Sequence, residues 1–433
     1  MKILLLGLGR ANLPVARYLI SGHDEVFVHD DNMKDLHTDA RKMIEDELLK
    51  KHAAGHYDLA ITSPGFPPDH PICRELAANA TPVIDEIEFV YRQLGEPQII
   101  AVTGTNGKST TAALISQVLD QAGISNFLGG NIAPGRPFSE VLAGERFACY
   151  VLEVSSFQLM RIERFRPHIS VLTNMSIDHL NWHKDIEEYR SAKLRVFVNQ
   201  RDDDFAVLNY DDDWVRGIAS EIRARVLFFG FRTKTGVSIN GKFHFEQDDL
   251  FPNDNLPIPG EHNLLNIAAA IAVAKIMGVD NRDIEKGIQA FRGLPHRMEE
   301  LTPVKGVRYI NNSMCTNATA AIASFKAIKG SKVVILGGKH KGDEGRRYFD
   351  LLVKEAKACI VLGENAPLIS GHFEKHGFRN YVVATNMADA VEKARAFSEP
   401  GDIIMLNPGF ASFDLFSSFL ERGEAFRNAV QQD

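Results

Sequence analysis

Cysteine is scarce and scattered in this chain. Cys73, Cys149, Cys315 and Cys359 lie far apart with no metal-like spacing, which excludes a disulfide framework and reads as small buried residues of a reducing compartment. Positive charge is also short. The 49 Lys and Arg against 56 Asp and Glu leave a formal net charge of −7, which argues against a nucleic-acid-binding surface while leaving room for local anion pockets. No run of about 18 apolar residues occurs, so no membrane-spanning helix is expected. The opening run Ile3-Leu4-Leu5-Leu6 is broken by Gly7, Gly9 and Arg10, too soon for the core of a signal peptide. The expectation is a cytoplasmic enzyme. Its 433 residues, at about 150 per domain, suggest about three domains.

What is present centres on a phosphate-binding pattern. Residues 97–102 read as a short buried strand, and 111–122 as a helix with Leu114, Ile115, Val118 and Leu119 on one face. Between them stands Gly104-Thr105-Asn106-Gly107-Lys108-Ser109-Thr110. The glycines let backbone N–H groups approach phosphate oxygens. The helix N-terminus adds partial positive charge, the lysine a full one, and the hydroxyl a ligand for Mg²⁺. The glycine usual at the start of such loops is replaced by Val102, so this is a shorter variant.

Residues 2–6 read as a strand, Gly7-Leu8-Gly9 as the turn after it, 13–20 as a helix and 25–29 as a second strand ending at Asp30-Asp31. This βαβ unit suggests a nucleotide or phosphate site, or a purely structural turn. Asn12 stands where a dinucleotide fingerprint has its third glycine, which weakens NAD. Strand 59–62 ends in Ser63-Pro64-Gly65, at the end of a parallel sheet where ligands sit. A polar break at Gly95-Glu96-Pro97 closes a first domain, 1–94. The second, 95–295, ends around Pro295-His296-Arg297. The third, 296–433, carries strands at 333–336, 358–362, 381–384 and 402–406 and a C-terminal helix through Phe416, Phe419 and Phe426. The expected fold class is α/β in three domains: an N-terminal Rossmann-like domain, a central P-loop ATPase-like domain with a mostly parallel sheet, and a C-terminal Rossmann-like domain.

Several side chains in the central domain are candidates for chemistry. Glu153 ends the apolar strand 150–155; burying it is costly unless it binds something, and beside a phosphate loop that is Mg²⁺. The strand 169–174 leads to Asp178-His179-Leu180, so His179 reads as a metal ligand, a positioning group or a core histidine. Helix 186–198 puts Lys193 on the stripe of Ile186, Tyr189, Val196 and Phe197. Either the amine snorkels to water, or it is desolvated with a lowered pKa and able to take up CO₂ as a carbamate. A later helix, apolar on nearly all sides over 267–277, begins near Asn263 and Asn266, which either read a base edge or cap the helix.

Taken together, and in this order, Gly104 to Thr110, Glu153-Val154-Ser155-Ser156-Phe157-Gln158-Leu159, Asp178-His179-Leu180, Tyr189-Arg190-Ser191-Ala192-Lys193, Gly260-Glu261-His262-Asn263-Leu264-Leu265-Asn266 and Pro295-His296-Arg297-Met298-Glu299 resemble the Mur ligase family over essentially the whole chain. The resemblance implies an ATP-dependent amide ligase of cytoplasmic peptidoglycan precursor synthesis, serving cell-wall biogenesis, shape and division. It implies D-glutamate added to UDP-N-acetylmuramoyl-L-alanine through an acyl phosphate. It implies that Gly104, Thr105, Asn106, Gly107, Lys108, Ser109 and Thr110 hold ATP phosphates, with Asn263 and Asn266 at the adenine, Arg297 at the phosphates and Asn312 at the ribose. Lys108, His179 and Lys193 take catalytic roles. Ser109, Glu153, His179 and a carbamylated Lys193 hold two Mg²⁺ ions. The UDP-muramoyl substrate falls to Gly7, Leu8, Gly9, Asp30, Ser63, Gly65, Asn131 and Ser155, and the amino acid to Thr316, Lys341, Ser412 and Phe419. The chain is expected to be a monomer and, from its net charge, to have no nucleic-acid partner.

The departures fall near the third-domain entry. D-glutamate-adding members usually carry Asn-Asp-Ser-Lys-Ala-Thr-Asn, and here the run is Asn311-Asn312-Ser313-Met314-Cys315-Thr316-Asn317. Losing a cation at an anion site removes a charge-assisted hydrogen bond of roughly 1.5–3 kcal/mol, for which Lys339 or Lys341 would compensate. The alternative is a related ligase that adds another amino acid, such as L-glutamate, or uses a variant precursor. Folylpolyglutamate synthase chemistry is weakened by the βαβ domain before the loop. An NAD-binding regulator would leave Lys108 and Lys193 without a role.

Overall fold

The computed structural model of the chain describes residues 1–31, 38–132, 135–177, 182–258, 260–339 and 345–432. Among these, the first strands are β1 (Lys2–Leu6), β2 (Glu25–His29), β3 (Lys50–Lys51), β4 (Leu59–Thr62) and β5 (Val83–Asp85). They form a wholly parallel sheet in the order β3-β2-β1-β4-β5. β1 is buried from Ile3 to Leu6, as expected of an apolar run covered on both faces. Helices α1 (Asn12–Ser21), α2 (Thr38–Glu45), α3 (Pro71–Ala78) and α4 (Glu86–Gln93) accompany this sheet.

The second sheet is built from β6 (Ile99–Thr103), β7 (Asn126–Gly130), β8 (Cys149–Glu153), β9 (Ile169–Leu172), β10 (Phe205–Asn209), β11 (Arg225–Gly230), β12 (Val237–Ile239), β13 (Lys242–Phe245) and β14 (Asp248–Pro252). Its order is β14-β13-β12-β11-β10-β9-β6-β8-β7. It is parallel from β7 to β12 and antiparallel at β13 and β14. Strand order reverses at β6, between β8 and β9, and crevices open at such reversals. The accompanying helices are α5 (Lys108–Gln121), α6 (Ser156–Leu159), α7 (Ile186–Leu194), α8 (Asp213–Gly217), α9 (Glu261–Ile276) and α10 (Asn281–Ala290). α9 is buried from Asn266 through Ala274, as its all-round apolar pattern predicts.

Met1–Phe291 forms one compact unit and Arg292–Asp433 a second. Inside the first unit the two sheets share a hydrophobic core running from Ile3 and Val28 to Tyr150 and Leu208. Carboxylates on α4 secure the junction. Glu88 is fully buried and accepts backbone N–H groups of Glu163, Arg164 and Phe165 as well as Arg92 Nε. Glu86 Oε1 accepts the Ser139 N–H at 2.5 Å. Burial pushes the Glu86 carboxyl up from 4.5 to about 7. The folded state therefore holds this proton where the unfolded state has lost it. Stability is lost as pH rises from about 4.5 to 7, and the full penalty remains above that. Glu86→Gln keeps the acceptor and removes the ionisation, so it is expected to stabilise the chain by up to about 3 kcal/mol at pH 8 and far less at pH 5. Urea unfolding of both proteins at the two pH values measures this.

The second unit holds β15 (Glu299–Val304), β16 (Val307–Asn311), β17 (Lys332–Gly337), β18 (Ala358–Val361), β19 (Tyr381–Val383) and β20 (Ile403–Gly409) in the order β15-β16-β20-β17-β18-β19. All pairs but β15–β16 are parallel. The β15–β16 hairpin has no counterpart in the sequence expectations, because β15 is a charged, largely exposed edge strand without an apolar period. Helices α11 (Ala318–Ala327), α12 (Arg346–Glu355), α13 (Ala366–Lys375), α14 (Met387–Ala396) and α15 (Phe419–Gln431) complete it. Phe416 precedes α15, which starts at Phe419 behind the Ser418 cap. The four cysteines are free. No described helix is long and apolar enough to cross a membrane.

Candidate active site

After β6 the backbone turns through Gly104 at φ +139° and Gly107 at φ +84°. A Cβ on Gly104 would lie 2.0 Å from Thr173 Oγ1, and one on Gly107 2.3 Å from Asn266 Oδ1. Neither position admits a side chain. The loop is clamped from the end of β9. The Thr105 N–H donates to Asn174 O at 3.0 Å, the Asn106 N–H to Asn174 Oδ1 at 2.9 Å, and Asn174 Nδ2 back to Asn106 O at 2.9 Å. Lys108 Nζ curls over the turn to Thr105 O at 2.8 Å. α5 begins at Lys108 behind the left-handed Gly107, three residues before the apolar pattern suggests, because serine and threonine are weak helix formers. Its positive end thus faces the loop.

Register places the other groups around it. Val102 pairs with Glu153 and Thr103 with Leu172, so Glu153 and the Thr173–Asn174 corner flank the loop on either side. Glu153 is 4% exposed, and its Oε2 meets no hydrogen-bond partner among the described residues. A buried carboxylate oxygen without a donor is costly. It fits a cation-binding position, and Ser109, also buried, supplies a hydroxyl on the first turn of α5. Ser155 caps α6 in a reciprocal capping box with Gln158, and the Asn131 N–H donates to Glu153 O at 2.8 Å. These two predicted substrate residues therefore adjoin the same strand end.

Lys193 is 2% exposed. Its Nζ donates to Gly104 O at 2.8 Å and lies 4.8 Å over the Tyr189 ring. This overturns the snorkelling alternative: the amine points into the phosphate loop, away from water. Tyr189 OH lies 3.2 Å from Thr105 Oγ1, so one face of α7 braces the loop twice. Asn263 and Asn266 are not helix caps, since Gly260 occupies the N-cap of α9. Asn266 Oδ1 accepts from Thr111 Oγ1 at 3.2 Å and its Nδ2 donates to Asn263 Oδ1 at 3.1 Å, which ties α9 to α5.

In the first sheet the Gly7 N–H donates to His29 O at 2.8 Å, and the Leu8 N–H to Asp30 Oδ2 at 2.7 Å. A Cβ on Gly7 would sit 2.4 Å from Ser63 Oγ. Gly7, Leu8, Asp30 and Ser63 thus converge, with Gly9 following Leu8 and Gly65 turning at φ +90° just beyond Ser63. Asn12, in place of a third glycine, donates to Gly7 O at 2.8 Å and to Ile61 O at 3.3 Å, fastening β1 to β4.

In the second unit Asn312 is buried. Its Nδ2 donates to Asn407 Oδ1 at 2.8 Å and its Oδ1 accepts the Met298 N–H at 3.1 Å, which fastens the segment carrying Arg297. The Met314 N–H donates to His296 O at 2.9 Å. Ser313 Oγ donates to Phe419 O at 2.7 Å, bringing the Thr316 segment to the start of α15, while Ser412 is buried nearby in sequence. Arg422 ties these segments together and was not anticipated. Its guanidinium donates to Ser313 Oγ, Ser313 O and Phe410 O. A cation between Phe419 and Phe426 on one helical stripe was the available signal. His183, equally unforeseen, is 2% exposed, 2.9 Å from Ser156 Oγ and stacked on Phe157. His179 and Lys341 lie outside the described residues.

Residues 102–274 match the Mur ligase middle domain, and residues 296–410 match the Mur ligase glutamate ligase domain. The UDP-N-acetylmuramoylalanine–D-glutamate ligase of Pelotomaculum thermopropionicum is 37% identical, with 99% of this chain and 97% of that protein covered. The chain belongs to the Mur ligase family. The ligase of the same name from Clostridioides difficile is 33% identical over 99% of this chain and 98% of its own length. Among solved structures, the UDP-N-acetylmuramate-alanine ligase MurC of Thermotoga maritima superposes with a TM-score of 0.65 at 20% identity, covering 100% and 99% of the two chains. A pseudomurein peptide ligase type C from Methanothermus fervidus does so at 0.59 and 19%, covering 99% and 100%. These two show that the Mur ligase fold is shared.

The middle-domain match takes in the loop, Glu153, Lys193 and Asn266. The glutamate-ligase match takes in Arg297, Asn312 and Thr316. For this Mur ligase, Glu153→Gln is expected to raise the ligand-free melting temperature, because a neutral amide costs less to bury than a charge. If Mg²⁺ strengthens nucleotide binding through this oxygen, the same change is expected to abolish that gain. Thermal unfolding without ligand, and nucleotide binding with and without Mg²⁺, test the two halves separately.

Proposed function

We propose that this Mur ligase joins D-glutamate to UDP-N-acetylmuramoyl-L-alanine at the expense of ATP. The observation that carries the reading is the convergence at one strand end of the glycine-rich loop, the buried Lys193 amine and a Glu153 oxygen that meets no partner among the described residues. Full-length relatives whose names specify this ligation support the substrates and favour D-glutamate over another amino acid. The backbone of Gly104 to Gly107, with Lys108 and Thr110, binds the ATP phosphates and stabilises charge on the transferring phosphoryl. The substrate carboxylate accepts that phosphoryl group. The amine of D-glutamate then displaces phosphate from the acyl phosphate, leaving an amide, ADP and phosphate. Ser109, Glu153, His179 and a carbamate on Lys193 would hold Mg²⁺, which would neutralise phosphate charge.

The family resemblance assigns Asn263 and Asn266 to the adenine, Arg297 to the phosphates and Asn312 to the ribose. Residues 1–94 take the UDP moiety, through Gly7, Leu8, Gly9, Asp30, Ser63 and Gly65; 95–295 take ATP, with Asn131 and Ser155 placing the muramoyl part; 296–433 take D-glutamate through Thr316, Lys341, Ser412 and Phe419. Met314 then removes one cation that Lys339 or Lys341 replaces. The chain works as a cytoplasmic monomer.

The test is phosphate release with ATP, Mg²⁺ and UDP-N-acetylmuramoyl-L-alanine against a panel of D- and L-amino acids. Turnover with D-glutamate alone is expected. Turnover with another amino acid instead would make Met314 a specificity determinant and refute the substrate. No turnover with any would refute the nucleotide-sugar assignment.

A further inference from the structure

Among the described residues, two groups of side chains bring three metal-ligating atoms within 4.8 Å of one another: His29, Asp31 and His70, and Asp350, His372 and His376. Tautomer chemistry separates them. His70 Nδ1 accepts the Ile72 N–H at 3.3 Å, so in the neutral ring the proton sits on Nε2, the nitrogen that faces Asp31. That ring is prepared to donate a proton, not to hold a metal.

The second group differs at His376. His376 Nδ1 lies 2.8 Å from His372 O. A carbonyl only accepts, so Nδ1 carries the proton and the Nε2 lone pair is left for a ligand. This is the outer-shell contact that fixes metal-binding histidines. His372, one helical turn earlier, stacks on His376 with ring centroids 4.2 Å apart and a 26° tilt. Its Nε2 lies 2.9 Å from Asp350 Oδ1 on α12, and the edge of Phe349 fixes its ring. Both histidines stand at the C-terminal end of α13, where the helix dipole favours a cation.

We propose that Asp350, His372 and His376 form a binding site for a divalent transition metal of the Zn²⁺ class, outside the ligase site. Two imidazoles and one carboxylate suit that class, with water in the fourth position. Tetrahedral Zn²⁺ at about 2.0–2.2 Å from each ligand needs ligand atoms about 3.4 Å apart. Asp350 and His372, now 2.9 Å apart, open by about half an ångström to admit it, and Asp350 is half-exposed. The neutral His372 ring exchanges its Nε2 proton to Nδ1, with no net proton lost. The ion cross-links α12 to α13, whose apolar faces already meet through Phe349, Leu352, Ile369 and Phe373.

The test is Zn²⁺ titration of the untagged, chelator-stripped full chain by calorimetry, with Co²⁺ absorption as the coordination readout, on the wild type, His376→Gln and Asp350→Asn. One Zn²⁺ equivalent is expected to weaken by roughly tenfold or more in each variant. The Co²⁺ bands of a four-coordinate site and the Zn²⁺-induced rise in melting temperature should be lost with it. Metal-free melting temperatures and ligase turnover should be unchanged, since neither side chain supports the core or the ligase site. Zinc stoichiometry, affinity and Co²⁺ spectrum identical in all three proteins would overturn the proposal, as would binding at millimolar Zn²⁺ only.

Discussion

Alanine at position 193 is expected to lower turnover by about 10²–10³-fold, the size of effect seen when one preorganised group at a reacting centre is removed. Lys193 is buried and bonded to Gly104 O at 2.8 Å, so its loss also leaves that carbonyl without one donor and costs about 1–3 kcal/mol of stability. Lys193→Arg separates the two effects. Arginine restores a cation and a donor to Gly104 O, but it stays protonated at any working pH and takes up no CO₂. If the amine acts as a carbamate, the arginine variant is as inactive as alanine. Wild-type turnover then falls in CO₂-stripped buffer and returns with bicarbonate, while neither variant responds. An active arginine variant, or a wild type indifferent to CO₂, would sink the carbamate and leave Lys193 as a loop brace.

Arg422→Ala is expected to cost more stability than Lys193→Ala. The side chain is 3% exposed, and its partners are oxygens of uncharged groups: Ser313 Oγ at 3.1 Å, Ser313 O at 2.8 Å and Phe410 O at 3.0 Å. Burial draws its pKa down to about 10, which still leaves it protonated at neutral pH. A Cβ on Gly338 would lie 3.2 Å from Arg422 Nη1, so the guanidinium also packs close to the turn after β17. Truncation strands these acceptors and empties the space, at about 3–5 kcal/mol. Arg422→Lys keeps the charge but not the fork, and should fall between the two. Because the Ser313–Thr316 and Phe410–Ser412 segments carry the proposed amino-acid site, the lysine variant should raise KM for D-glutamate more than KM for the UDP substrate. Equal effects on both would reduce Arg422 to a purely structural brace.

Legibility from sequence followed how local the physics was. β1, β2 and β4 lie where their short apolar runs place them, since both faces of a parallel sheet are covered. The β15–β16 hairpin escaped notice because its edge strand needs no apolar period. Asn263 and Asn266 stand where the sequence allows helix caps, yet the cap is Gly260, and Asn266 serves Thr111 on another helix. Asn174 ends a strand that the sequence marks, and His183 lies four residues past His179, but no local spacing shows that one clamps the phosphate loop and the other is buried on Phe157.

By itself the sequence determined the α/β class, the phosphate loop and the family. Each rests on residue types at short fixed spacings, and a backbone turn with its following helix is a local object. Only the tertiary structure decided that Lys193 points inward to Gly104, 89 positions earlier, that an oxygen of Glu153 meets no donor among the described residues, and that Arg422 joins segments more than a hundred residues apart. Those outcomes depend on strand order and register, which bring distant side chains into one dry place where desolvation sets their chemistry, and no local period encodes that.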